Sequence, residues 1–127
     1  MRKRHLDHID LRVRDFKKAM EFYGKLLPAL GFTFDSSYEE WGTFYAVGGD
    51  EPSEFFGFTV DPGHTPNGTR IAFWAEDNKT VERLAQFITG IGAQNIEGPL
   101  YEDPGYYAVF FEDPFGNRLE ICHRDRN

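Results

Sequence analysis

The stretch that decides the fold lies near the carboxyl end of the chain, where residues 104–121 read PGYYAVFFEDPFGNRLEI. At its centre, residues 113–117 read DPFGN, and Asp, Pro, Gly and Asn are the residues that tight turns favour. The segments on both sides are rich in Tyr, Phe, Val, Leu and Ile, which favour strands. The stretch therefore predicts a β-hairpin with strands at approximately 106–112 and 118–123.

A shift of 62 residues aligns the half that contains this hairpin with the amino-terminal half. In each half an alternating segment, 8–13 or 70–75, is followed by an aspartate that can cap a helix, Asp15 or Asp77. Apolar residues at helical spacing then follow: Ala19, Phe22, Leu26 and Ala29 in the first half, and Val81, Leu84, Ile88 and Ile91 in the second. The repeat predicts one helix in each half.

The remaining alternating segments predict three further strands in each half, at approximately 32–37, 42–48 and 54–60, and at 94–97, 106–112 and 118–123. A unit of about 60 residues buries little surface alone. We therefore predict a single α+β domain of two tandem βαβββ modules. The predicted parts are module 1 at about 5–61, a linker at about 62–68 and module 2 at about 69–124, with a connector or lid at 97–105.

Composition excludes several classes of function. The 127 residues carry a net charge of -7, which argues against nucleic acid as the main partner. No apolar run approaches the roughly 18 residues of a membrane span, and no apolar stretch follows the basic start, so we expect no signal peptide. The lone Cys122 fits a reducing compartment, so we expect a cytoplasmic protein. The 13 Phe, 6 Tyr and 2 Trp indicate a rich core or an aromatic cavity.

The chain resembles the vicinal oxygen chelate superfamily, which includes glyoxalase I, fosfomycin and bleomycin resistance proteins and extradiol dioxygenases. The resemblance rests on residues 8–15 (HIDLRVRD) with Phe22-Tyr23 and Leu30-Gly31-Phe32, on residues 70–73 (RIAF), and above all on residues 104–121. It implies two βαβββ modules whose mixed sheets curl around a shared cavity. In enzymatic members it implies a divalent metal on the cavity wall.

His8 and Glu120 are the candidate metal ligands. They lie on strands at the two ends of the chain, and an approximate twofold repeat can bring them to one concave surface. An imidazole and a carboxylate together suit a divalent ion such as Zn, Fe, Mn, Ni or Mg. The 62-residue offset pairs His8 with Arg70, and Phe58 with Glu120. Arg70 thus stands where the resemblance expects a second histidine, and a guanidinium cannot donate to a metal, so a metal-free site is also compatible with the sequence.

Three interpretations of Arg70 remain open. Arg70 pairs with Glu120 and the site holds no metal. Alternatively, Arg70 binds an anionic group of a substrate. In the third interpretation Arg70 points away, and another group completes the ligand set, for which His64 on the linker is the nearest spare imidazole.

Further site residues are predicted from strand alternation. One of Tyr106 and Tyr107 faces the cavity and can donate a proton; we assign Tyr107, together with Glu120, to catalysis. Asp10 orients His8 or forms a structural ion pair with Arg12 or Arg70. The predicted lining of the substrate cavity is Arg70, Phe56, Phe58 and Trp74.

Two functions from different classes follow. The first is a metal-dependent enzyme of glyoxalase or dioxygenase type, a lyase or an oxygenase, that acts on a small organic molecule. The second is a metal-free protein of the bleomycin-resistance kind that binds a small molecule in an aromatic cavity. A homodimer is expected in both cases.

Overall fold

Two repeats of one βαβββ module make up the chain, which confirms the predicted α+β fold class. The computed structural model describes residues 4–125. The chain divides into two units, Met1–His64 and Thr65–Asn127. Within residues 4–125, no helix combines the length and the apolar character needed to cross a membrane.

The first unit is one helix on a four-stranded mixed sheet. Strands β1 and β4 are parallel, and the pairs β4–β3 and β3–β2 are antiparallel, in the order β1-β4-β3-β2. The elements are β1 (His8–Val13), α1 (Phe16–Ala29), β2 (Phe34–Asp35), β3 (Trp41–Gly48) and β4 (Glu51–Val60).

The second unit repeats this order. Strand β5 runs parallel to β8, and the sheet order is β5-β8-β7-β6. The elements are β5 (Arg70–Trp74), α2 (Asn78–Thr89), β6 (Gln94–Asp103), β7 (Tyr106–Glu112) and β8 (Arg118–Arg124).

Both predicted helix caps are present. The carboxylate of Asp15 accepts a hydrogen bond from the amide of Lys18 at 2.8 Å, and that of Asp77 accepts one from the amide of Thr80 at 2.8 Å. Each bond satisfies an amide that has no partner within its helix, which fixes where the helix begins. After α1 the chain turns away at Gly31, whose φ of 103° favours glycine.

The core of each unit lies between its helix and its sheet. In the first unit the fully buried ring of Tyr23 lies 5.6 Å from Phe56 and 5.1 Å from Phe58, measured between ring centroids. In the second unit the buried core side chains include Phe73, Val81, Leu84, Ile88, Val109, Phe111, Leu119 and Ile121. Burial of this kind is the main stabilising contribution in a small unit.

Two strands differ in length from their predictions. Strand β2 covers two residues rather than 32–37, because the carboxylate of Asp35 accepts a hydrogen bond from the amide of Ser37 and turns the chain. Strand β6 continues to Asp103, so the predicted connector or lid at 97–105 is largely strand. Pro99 is tolerated there because β6 lies at the edge of its sheet.

The register of the parallel strands shows that the repeat offset is not constant. His8 lies opposite Phe55 in the β1–β4 pair, and Arg70 lies opposite Arg118 in the β5–β8 pair. The halves are therefore offset by 62 residues at their first strand and by 63 at their last. The second half carries one extra residue between the two strands.

Because of this extra residue, the sequence-based pairing of Glu120 with Phe58 needs a correction. Glu120 corresponds to Gly57, and its predicted equivalence with Phe58 is wrong by one position. Because strand side chains alternate, a shift of one residue moves a side chain to the other face of the sheet. Phe56 and Phe58 accordingly face α1, with 1% of each side chain exposed. We assign them to the core of the first unit rather than to the cavity wall.

The predicted turn between β7 and β8 is built on a buried carboxylate. Asp113 is 0% exposed, and its Oδ1 accepts hydrogen bonds from the amides of Phe115 at 2.8 Å and Asn117 at 2.9 Å. Its Oδ2 accepts a third bond from the side-chain amide of Asn117 at 2.8 Å. Three donors compensate the burial of this charge, so the turn fixes the hairpin.

We expect the substitution Asp113→Ala to lower the free energy of unfolding by about 2–4 kcal/mol, because it leaves buried donors without an acceptor. Urea denaturation followed by circular dichroism measures this change. Asp61→Ala is the control: Asp61 accepts a bond from the amide of Gly63 in an exposed turn, and its loss should cost less than about 1 kcal/mol. Equal losses for both variants would contradict the role of Asp113.

Candidate functional site

The second sheet has one face on α2 and an opposite face that carries predicted site residues. Leu119 and Ile121 are fully buried on the α2 side, and Glu120 between them points to the opposite face. Its register neighbours are Ala72 on β5 and Phe110 on β7. By alternation the same face carries Arg70, Trp74, Arg118, Cys122 and Tyr106.

Glu120 is a buried carboxylate that accepts a hydrogen bond from a neutral phenol. Only 4% of it is exposed, and the hydroxyl of Tyr106 donates a hydrogen bond to its Oε2. Burial, followed by this bond and the charge of Glu120, raises the pKa of Tyr106 to about 12. Tyr106 therefore stays protonated near neutral pH. The guanidinium of Arg124 lies 3.8 Å from the centre of the Tyr106 ring and packs on it.

Cys122 is a second neutral group on the same face as Glu120. Its thiol is buried. Burial is the main reason that the pKa of Cys122 is raised, and the negative charge of Glu120 adds to the effect. A thiol that stays protonated is a poor nucleophile, so we interpret Cys122 as a packing neighbour of Glu120.

Tyr107, the predicted catalytic tyrosine, lies on the α2 face. Its hydroxyl donates a hydrogen bond to Oε2 of Glu82 on α2 at 2.9 Å, and its ring packs on Tyr101. The tyrosine beside Glu120 is thus Tyr106, which corrects the choice between the two neighbours. The wrong choice has a physical reason. Alternation predicts that one of the two tyrosine rings faces α2 and the other faces the opposite side, but the sequence of a five-residue turn does not fix the β7–β8 register that decides which one.

Arg70 contacts an aromatic ring. Its guanidinium carbon lies 4.9 Å from the centre of the Phe110 ring, and across residues 4–125 no ion pair joins Arg70 to Glu120. Its register partner on β8 is a second arginine, Arg118. A cavity of about 260 Å³ at this place is lined by Arg70, Asn95, Glu97, Phe110, Phe111, Glu112 and Arg118.

Two further predicted residues occupy exposed or loop positions. Trp74 is exposed, and its ring centroid lies 5.1 Å from that of His123. His64 lies on the loop after β4, where its backbone carbonyl accepts a hydrogen bond from Nη1 of Arg14 at 3.2 Å. Cavity lining by Trp74 and metal ligation by His64 stay predictions.

In the first unit, His8 lies on the sheet face opposite α1. Its Nδ1 is bonded to the carboxylate of Asp7 at 2.9 Å, so Asp7, which the sequence analysis missed, orients the imidazole. Asp10 pairs with Arg12 at 2.8 Å and accepts a hydrogen bond from Thr59 at 3.1 Å. The ion-pair interpretation of Asp10 is confirmed, with Arg12 as the partner.

A family model described as the Glyoxalase/Bleomycin resistance protein/Dioxygenase superfamily matches residues 5–121. The chain belongs to this superfamily. The protein YqjT of Bacillus subtilis (strain 168) is 28% identical over 91% of this chain and 96% of its own length.

Solved structures of the superfamily show the same fold. A glyoxalase/bleomycin resistance protein from Albidiferax ferrireducens T118 matches with a TM-score of 0.76 at 22% identity, over 94% of this chain and 98% of that one. A bleomycin resistance determinant encoded on the transposon Tn5 matches with a TM-score of 0.65 at 19% identity, over 97% and 100%. At these identities the likeness is one of fold, and a fold alone does not determine function.

Superfamily members often bind divalent metals, but the donor set of this chain does not fit one. Among residues 4–125, no group of three or more His, Cys, Asp or Glu side chains could hold a metal ion. Arg70 and Gly57 occupy the positions that correspond to His8 and Glu120 in the other half, and neither supplies a donor. Of the four positions that the two halves pair in this way, only His8 and Glu120 carry a side chain that can donate to a metal.

We therefore expect the melting temperature to differ by less than about 1 °C between EDTA and Mn²⁺, Fe²⁺, Co²⁺, Ni²⁺ or Zn²⁺, because an ion that is not bound adds no stability. Differential scanning fluorimetry measures this. A rise of several degrees with one metal, absent from Glu120→Gln, would contradict the assignment and restore the predicted metal centre.

Cys122 provides a probe of the Glu120 pocket, because it is the single cysteine of the sequence. At pH 8 we expect native Cys122 to react with a disulfide reagent at least about 10-fold more slowly than in guanidinium chloride, since its pKa is raised and it is buried. Glu120→Gln removes the nearby negative charge and should accelerate the native reaction. Glu82→Gln, on α2, is the control that should not; equal rates in both variants would argue against the Glu120–Cys122 contact.

Proposed function

We propose that the protein binds a small organic anion on the face of the second sheet that carries Arg70, Arg118, Glu120, Tyr106 and Phe110. We call these five residues the arginine–glutamate face. The superfamily description covers both enzymes and resistance proteins that act on small molecules, and this proposal commits to the binding step that both share. The observation that supports the proposal is the position of Arg70, which lies over the ring of Phe110 and beside Arg118.

The arginines support an anionic ligand. Arg70 and Arg118 are direct register partners on neighbouring strands, where like charges destabilise a sheet. Glu112 lies opposite Arg118 on β7 and can balance one charge. The guanidinium carbon of Arg70 lies over the ring of Phe110, 4.9 Å from its centre, and the N–H groups of a guanidinium can bind a carboxylate in a bidentate way.

Glu120 and Tyr106 supply the polar groups that orient a ligand on this face. Glu120 accepts hydrogen bonds and Tyr106 holds it in place. An arginine that binds a carboxylate close to a hydrogen-bond acceptor suits a molecule with an acid group next to another oxygen function. A small 2-oxo acid meets this description in its enol form, whose hydroxyl donates a hydrogen bond to Glu120 while the neighbouring carboxylate binds Arg70.

We expect 2-oxoglutarate to shift the side-chain Nε–H signals of Arg70 and Arg118 in ¹⁵N-resolved NMR spectra, because the carboxylate binds the guanidinium edge. Arg70→Met should weaken this binding at least about 5-fold, as the loss of one charge-assisted hydrogen-bonding group does.

Two controls make this test specific. Arg83→Met removes an exposed arginine from α2 and should leave the affinity unchanged. The neutral dimethyl ester of 2-oxoglutarate should bind far more weakly than the acid. Undiminished binding to Arg70→Met, or equal binding of the ester, would contradict the proposal.

A second candidate function is an enzyme in which Glu120 acts as a base, and the buried position of its carboxylate beside Tyr106 favours it. In that reaction the C3–H bond of a 2-oxo acid breaks, the proton passes to Glu120, and the electron pair moves to the keto oxygen. Arg70 stabilises the resulting enolate, and return of the proton completes the exchange.

Exchange of the C3 protons of 2-oxoglutarate in D₂O, followed by ¹H NMR, separates the two functions. An enzyme should accelerate the exchange over the rate without protein, and Glu120→Gln should abolish the acceleration. Binding without accelerated exchange would leave the protein as a binding protein. Superfamily members often form dimers, and we propose a homodimer for this chain, which sedimentation equilibrium measures.

A further inference from the structure

The loop that leads into β5 carries the single Asn–Gly pair of the sequence, Asn67-Gly68. Asn67 is exposed, and Gly68 lies at a bend of the loop. A Cβ atom built on Gly68 would meet no atom within 4 Å, so the backbone has room to move at this position. Because glycine also permits more backbone conformations than other residues, the amide nitrogen of Gly68 can approach the side chain of Asn67.

The side chain of Asn67 folds back over its own loop. Its Oδ1 accepts a hydrogen bond from the amide of Thr69 at 2.8 Å, which is the bond of an Asx turn. The ring of atoms that this bond closes contains both Cγ of Asn67 and the amide nitrogen of Gly68. The same bond stabilises the negative charge that an attack on Cγ would place on Oδ1. The loop therefore holds a polarised carbonyl carbon close to a backbone nitrogen.

Asn67 differs in its contacts from the other asparagines of residues 4–125, which are Asn78, Asn95 and Asn117. The side-chain nitrogen of each of these three donates a hydrogen bond to a neighbouring side chain, at 2.9, 2.9 and 2.8 Å respectively. Each also precedes a large residue, Lys, Ile or Arg. Nδ2 of Asn67, by contrast, donates no hydrogen bond to the part of the chain that the structure describes. Its side chain is thus the least held of the four.

We propose that Asn67 is a site of spontaneous covalent modification, at which the amide nitrogen of Gly68 attacks Cγ of Asn67. A bond forms between these two atoms and the Cγ–Nδ2 bond breaks. The proton of the Gly68 amide leaves with Nδ2, as ammonia. Water then opens the resulting five-membered imide at either of its carbonyl carbons. One opening gives aspartate at position 67, and the other gives isoaspartate, in which the main chain runs through Cβ and Cγ.

Both products place a new carboxylate on the loop that leads to Arg70. Three residues of chain span at most about 10 Å, which is close to the distance over which a charge acts at physiological ionic strength. Pro66 anchors the other end of the loop, since its Cγ lies 3.0 Å from where a Cβ on Gly116 would stand. The new charge therefore stays near Arg70, and modification weakens the binding of an anion there. This consequence rests on the proposed function, whereas the modification itself does not.

Peptide mass spectrometry of the full chain during incubation in buffer measures the conversion, as a mass gain of about 1 Da when an amide becomes an acid. A protein isoaspartate methyltransferase detects the isoaspartyl product. We expect Asn67 to convert at least about 10-fold faster than Asn78, Asn95 or Asn117, because its side chain is exposed and unrestrained. The rate should rise about 10-fold from pH 7 to pH 8, since the attacking amide must lose its proton.

A matched pair of variants tests the role of Gly68. Gly68→Ala adds one methyl group beside the attacking nitrogen and should slow the conversion at least about 5-fold. Gly63→Ala makes the same change elsewhere in the loop, where the new Cβ meets Oδ1 of Asp61 at an ordinary 3.7 Å, and should leave the rate unchanged.

Unfolding in guanidinium chloride separates the effect of the fold from that of the sequence. We expect the rate at Asn67 to change by less than about 3-fold, because the native loop already exposes it. The rate at Asn117, which is buried and bonded to Asp113, should rise at least about 10-fold on unfolding.

Three results would overturn the proposal: no conversion of Asn67 in the folded chain, an equal rate at another of the four asparagines, or an equal rate in Gly68→Ala. The consequence for the anion site is tested with Asn67→Asp, which supplies one product directly and should bind 2-oxoglutarate at least about 2-fold more weakly than the unmodified chain. Equal binding would contradict that consequence. If 2-oxoglutarate binds neither form, the proposed function fails, while the mass measurements still decide whether Asn67 is modified.

Discussion

The parallel pairing between the first and the last strand of each unit is the constraint on which the rest of the structure depends. In the β5–β8 pair it sets Glu120 beside Ala72, and in the β1–β4 pair it sets Gly57 beside Asp10. Because side chains alternate along a strand, this pairing decides which residues face the helix and which face the opposite side. A slip of one residue would exchange the core and the candidate site.

Local signals in the sequence predicted the parts of the fold that depend on local chemistry. Asp15 and Asp77 were recognised as helix caps because a short carboxylate satisfies the first free amides of a helix. The turn at 113–117 was recognised because its residues favour turns. That Asp113 is buried and accepts three hydrogen bonds was visible only in the structure. These features need no knowledge of distant pairing.

The choice of face could not be predicted from the sequence in the same way. One extra residue in the second half changes the offset between the halves from 62 to 63. Loops accept such an insertion without a change in the strands, so the strand patterns in the sequence do not reveal it. The constant offset therefore pointed to Phe56 and Phe58, and the open register of the β7–β8 hairpin allowed the choice of Tyr107. The structure instead brings Phe55 and Tyr106 to the faces opposite the helices. The interpretation of Arg70 as a departure from a metal ligand does not depend on register, because it rests on the chemistry of the guanidinium.

The two repeats use one backbone plan for two kinds of surface. In the second unit a buried carboxylate, a phenol and arginines form a charged face, and in the first unit aromatic rings lie on the face opposite α1. Membership of the superfamily establishes the fold, while the donor set argues against a tightly held metal. The function proposed on this basis is recognition of a small organic anion by the charged face of the second unit.

The register of β7 against β8 is the central claim, and a pair of double-mutant cycles tests it most directly. Tyr106→Phe combined with Glu120→Gln should show a coupling energy of about 1–2 kcal/mol in urea unfolding, because the phenol donates to the carboxylate. Tyr107→Phe combined with Glu120→Gln should show a coupling near zero, since Tyr107 bonds Glu82 on the other face. Coupling through Tyr107 and none through Tyr106 would contradict the register and the site built on it.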